Sequence, residues 1–157
     1  MQLTEVFLWI ESIPAVRFIS TATVIYPIIS ALHLLGIALL FGSIIPVDLR
    51  LLRVLGPQFD PVLQPLIRFA VLGFLLAATS GALLASIRIT DYAENPAFLI
   101  KLSIVFLAGV NALVLRLKSN PRGIAGSVGQ PYGRIAGAIS VFLWTGAVLA
   151  GRWIAFI

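Results

Sequence analysis

The chain has 157 residues, of which 60% are hydrophobic and 11% charged, with a net charge of +5 and a mean hydropathy of +1.07. A soluble core of this size has no room for so much apolar surface, whereas lipid solvates it provided each backbone polar group is bonded within a helix. The lack of cysteine excludes disulfides, thiolate metal sites and iron–sulfur clusters, and the basic residues are scattered over helix ends with no dense run that would suit nucleic acid.

These bounds predict a single-domain, all-α integral membrane protein: a bundle of four transmembrane helices preceded by an interfacial amphipathic helix. Gln2 and Glu5 stand where a signal peptide would be basic, and no small-residue cleavage site follows, so the opening residues read as mature sequence. Residues 2–20 set Leu3, Val6, Phe7, Ile10, Ile13 and Pro14 among Glu5, Glu11, Ser12 and Arg17, a pattern that suits lying in the interface.

The first span is expected over about 21–45, ended by Pro46 and by Asp48, Arg50 and Arg53 before a Gly56-Pro57 turn. It carries the chain's one histidine, His33, near the middle of the expected span. At 100° per residue Tyr26, Ser30, His33, Gly36, Ile37, Leu40 and Ile44 share a side, with Asp48 at its cytoplasmic edge. An ionisable ring in such a run is expected to face the other helices.

The second span, about 65–87, places Gly73, Ala77, Gly81 and Ala85 at four-residue intervals, a seam along which another backbone can approach. Residues 88–98 form a short interfacial connection, with Asn95-Pro96 marking the next helix start. In the third span, about 97–117, Lys101 can snorkel, but Asn111 is too deep and should hydrogen-bond across helices. Residues 118–134 read as a flexible Pro/Gly-rich basic loop without the spacing of a phosphate loop. The fourth span, about 135–155, puts Gly137, Ser140, Trp144, Ala147 and Gly151 on one face, with Arg152 and Trp153 at its far end.

Arg50, Arg53, Arg68, Arg116, Lys118, Arg122 and Arg134 flank the first and third connections, against Arg17, Arg88, Lys101 and Arg152 on the other side. The positive-inside rule then sets those connections in the cytoplasm and both termini in the periplasm of a bacterial inner membrane.

Three stretches, HLLGIALLFGSIIPVDLRLL, YAENPAFLIKLSIVFLAGVNAL and LWTGAVLAGRWIAF, resemble a family of uncharacterised bacterial four-helix inner-membrane proteins over nearly the whole chain. The matching motifs are H-x-x-G at His33 and Gly36, D-L-R at 48–50, N-P-A-F at 95–98, the early Lys101, and G-R at Gly151 and Arg152. Related sequences often carry a histidine near the position of Arg116, where this chain has none, so the resemblance offers no second histidine ligand within one chain. It implies the four-helix fold and no activity.

Nucleophilic catalysis has neither a cysteine nor a Ser-x-Gly elbow to work with, and only Asp48 among the acids lies near a span, too few ligands for zinc or a two-metal site. A b-type haem asks less: one neutral imidazole for the iron, small residues beside the porphyrin, and polar or cationic groups for the propionates. His33 would be the iron ligand, Ser30 and Gly36 its small neighbours, and Tyr26, Lys101 and Arg152 the propionate partners. With one histidine per chain, bis-histidine ligation requires a two-fold homodimer. Electron transfer would then involve a redox partner or a quinone. The competing reading is a non-catalytic membrane subunit or scaffold in which His33 is a buried helix lock and the second-span seam faces a partner; proton or solute passage comes third.

Overall fold

The computed structural model describes residues 3–119 and 123–156, so Gln2, Arg122 and Ile157 lie outside the described residues, as do the side chains of Leu3 and Ala155. The described part is all-helical, in the order α1 (Leu3–Ser12), α2 (Pro14–Thr21), α3 (Ile25–Leu51), α4 (Asp60–Ser86), α5 (Ile89–Glu94), α6 (Pro96–Lys118) and α7 (Pro131–Trp153), with short 3-10 turns between some of them. Four of these helices are long and apolar enough to cross a membrane. At 1.5 Å per residue the 27-residue α3 and α4 are about 40 Å long, more than the roughly 30 Å hydrocarbon layer.

The expected N-terminal helix is broken in two, because Pro14 starts α2 and offers no N–H to continue the turn before it. Pro46, by contrast, does not end the first long helix, which continues five residues further to Leu51. Proline's ring crowds the turn before it. That turn carries Gly42, which has open space around it, and the residues beyond Pro46 are held by burial of Val47, Asp48, Arg50 and Leu51. The second long helix likewise begins before its expected Pro65, which lies inside α4. The third long helix, α6, starts at Pro96 as expected, and Asn95 caps it, its side-chain oxygen accepting from the Phe98 N–H at 3.2 Å.

The four long helices form two antiparallel hairpins, α3 with α4 and α6 with α7, joined mainly where α3 meets α7. The α3–α4 seam is backbone on backbone. A Cβ at Gly36 would lie 2.6 Å from the Ala77 nitrogen and 3.0 Å from the Gly73 carbonyl, and one at Gly73 would lie 2.9 Å from the Gly36 carbonyl. The small-residue seam of the second span thus packs on its own chain's α3. In the second hairpin Asn111 Nδ2 donates to the Ala136 carbonyl at 3.0 Å, the cross-helix bond its depth calls for.

Leu40, Ala70, Ala108, Trp144 and Ala147 form one core cluster, with Phe74 edge-on to Trp144 at 6.2 Å between centroids. A second cluster of Val47, Leu51, Leu63, Leu115 and Ala136 lies toward the first and third connections. The described part of the third connection is not the loose loop its composition suggests. Gly123–Ser127 form a 3-10 turn, Ser127 is fully buried, and Ile124 and Val128 pack on the second cluster. Arg53, the one non-glycine with positive φ among the described residues, donates from Nη2 to the Gly129 carbonyl at 3.0 Å and joins the first connection to the third. At the opposite end α1 rests on α5, where Glu11 accepts from the Thr90 N–H at 2.9 Å. The bundle thus has an Arg53 end and an α5 end.

Candidate functional site

His33 sits on α3 eight residues, about 12 Å, from the start of the helix and eighteen residues, about 27 Å, from its end. It is therefore nearer the α5 end than the middle position expected from a span over 21–45, because the helix starts later and runs on past Pro46. The ring is half-buried against α4. Its Nδ1 lies 2.8 Å from the Ala77 carbonyl, and the Ser80 hydroxyl approaches the same nitrogen at 3.4 Å while donating to the Leu76 carbonyl.

A carbonyl oxygen only accepts, so Nδ1 carries a hydrogen, and in the neutral imidazole Nε2 then keeps its lone pair. Gly81 makes room for this arrangement. A Cβ there would lie 2.8 Å from His33 Cε1 and 3.1 Å from Nδ1, so any larger residue displaces the ring. Ala77, Ser80 and Gly81 are the partners that the sequence does not assign to His33. Their signal was the small-residue period of the second span, which by itself says only that something packs there.

From the other hairpin, Lys101 approaches. Its chain lies along Gly151 of α7, with Nζ 3.3 Å and Cδ 3.5 Å from where a Gly151 Cβ would be, and its ammonium is within electrostatic range of His33. Lys101 thus packs on Gly151 within the second hairpin, with its charge in electrostatic range of His33 on the first. Ser30 is half-buried one turn before His33. Tyr26 is exposed at the start of α3, about two turns away. Gly36, expected beside a cofactor plane, is packed against α4 instead. Arg152 is exposed and lies over the Phe156 ring at 5.3 Å.

The D-L-R motif resolves differently from a charged helix end. Arg50 is buried and forks onto Asp60, Nε to Oδ1 at 2.7 Å and Nη2 to Oδ2 at 3.2 Å, with Nη1 donating to the Leu55 carbonyl at 3.3 Å. This bidentate pair closes the first connection. Asp48, expected at a cytoplasmic edge, is buried between α3 and α7. Among the described residues no group of three or more histidine, aspartate or glutamate side chains converges as a metal site.

No family model, characterised protein or solved structure matches this chain.

Proposed function

We propose that the chain is a multi-pass protein of the bacterial inner membrane, with both termini periplasmic, that holds a b-type haem through His33 Nε2 and passes electrons to a redox partner or quinone. The observation that carries this reading is the hydrogen bond from His33 Nδ1 to the Ala77 carbonyl. It fixes the tautomer, orients the ring and leaves Nε2 as a free donor of its lone pair, the arrangement that supports a metal-ligating imidazole. A b-type haem would supply one-electron exchange between ferric and ferrous iron.

The chain's own part is to hold and tune. Gly81 leaves the space in which the imidazole sits, the Ala77 carbonyl holds its Nδ1, and Lys101, lying along Gly151 in the other hairpin, offers positive charge for a propionate. Ser30 and Tyr26 lie on the same helix toward the α5 end, and Arg152 is a second cation at that end. One histidine per chain makes a bis-imidazole site a property of a two-fold pair of chains.

A second reading, a non-catalytic membrane subunit, is favoured by Gly36. That residue serves the α3–α4 contact, and the His33–Ala77 bond lies on the same seam as a helix lock. An absorption spectrum of protein purified in mild detergent from haem-replete cells separates the two. A Soret band that shifts on dithionite reduction supports haem, and a colourless protein leaves the subunit reading.

A further inference from the structure

Asp48 is 2% exposed, and among the described residues its Oδ2 has no hydrogen-bond partner. The Ser140 hydroxyl reaches its carboxyl from α7, and Gly137, one turn earlier on that helix, lets the α3 backbone approach so closely that a Cβ there would lie 3.1 Å from the Asp48 carbonyl. Val47 and Leu51, on either side along α3, belong to the apolar cluster that also holds Leu63 and Ala136.

A carboxylate in such a place has given up its hydration and needs a cation or a proton in return. The basic groups of the packed elements are engaged or turned outward. On α3 Arg50 forks onto Asp60, and just beyond it Arg53 bonds Gly129; Arg68 of α4, Arg116 and Lys118 of α6, and Arg134 of α7 are exposed. Tyr132 of α7 packs at the same cluster, and Asn111 of α6 uses its Nδ2 on Ala136. His33 lies fifteen residues back along α3, about 22 Å away.

We propose that Asp48, positioned by Ser140, is a buried proton-binding site. The bound ligand is one proton, which adds to a carboxyl oxygen to give the neutral acid, with no other bond made or broken. Shape and neutrality alone would be met by an asparagine; what a carboxyl adds is the capacity to release its proton. The site lies three residues, less than one turn, from the end of α3, under the packed third connection, so exchange is with the Arg53 end. This inference does not depend on haem.

The test uses full-length protein in phospholipid vesicles, grown with aspartate labelled with 13C at its side-chain carboxyl. The chain has three aspartates, Asp48, Asp60 and Asp91. At neutral pH one of the three carboxyl signals should have the chemical shift of the protonated acid and disappear in Asp48→Asn. Asp60→Asn and Asp91→Asn assign the same signal by elimination should the first variant fail to fold. Three carboxylate shifts overturn the proposal. Ser140→Ala should move the Asp48 signal and Ser140→Thr should restore it; an unmoved signal in Ser140→Ala removes the positioning role.

Discussion

His33 and Ala77 face each other across the α3–α4 seam, with Nδ1 2.8 Å from the carbonyl oxygen, so the ring's hydrogen is committed to the neighbouring helix and Nε2 is left with its lone pair. If that lone pair binds iron, His33→Ala should abolish pigment, since the chain has no other histidine to replace it. Stoichiometry is the stricter measure. A bis-His33 site requires one haem per two chains, and pigment unchanged in His33→Ala removes the proposal.

The glycines within the long helices should separate sharply by what lies opposite them. Gly36→Ala puts a Cβ 2.6 Å from backbone that cannot rotate away, and should lower stability by about 1–3 kcal/mol. Gly42 and Gly109 have nothing within 4 Å of such a Cβ, so alanine there should be neutral or stabilise by up to about 1 kcal/mol through helix propensity. Thermal unfolding in one detergent compares them, and equal effects at all three would mean that the helices do not meet through Gly36.

Gly81→Leu tests the same surface closer to the histidine. The obstructing group is the imidazole, so the larger residue should displace the ring and break its bond to Ala77, destabilising the hairpin by about 1–3 kcal/mol. Wild-type melting of this variant, with an unchanged His33 NMR signal, would place the ring elsewhere.

Asn111→Leu removes the Nδ2 bond to the Ala136 carbonyl while keeping bulk, and should cost about 1 kcal/mol, the usual scale of an interhelical hydrogen bond among apolar helices. No loss of melting temperature would show that the bond contributes nothing net.

Orientation can be read with single cysteines, since the chain has none of its own. Gln58, Asp91 and Gln130 are exposed and lie in the first, second and third connections. Gln58→Cys and Gln130→Cys should react with an impermeant maleimide only after the inner membrane is breached, and Asp91→Cys should react in intact spheroplasts. The reverse pattern would invert the topology.

Much of this protein is legible in its residues taken alone, because apolar runs about 20 residues long demand helices in lipid whatever their neighbours. The four long helices, the small-residue seam, the Gly137 to Ala147 face, the helix start at Asn95-Pro96 and the need of Asn111 for a partner all follow from local pattern. Each depends on period or on a side chain's own chemistry, and each is present in the structure.

What the tertiary structure alone decided is where polar atoms find, or fail to find, their partners. Asp48 and Arg50 look like a charged helix end, yet α3 continues past Pro46 because packing on α7 and α4 outweighs the lost hydrogen bond, so Asp48 is buried and Arg50 turns to Asp60. Composition makes the third connection a loose loop, yet Ser127 is fully buried beneath its neighbours. His33 could have faced any helix; its pairing with Ala77 depends on how α3 meets α4, and no spacing within one helix encodes that.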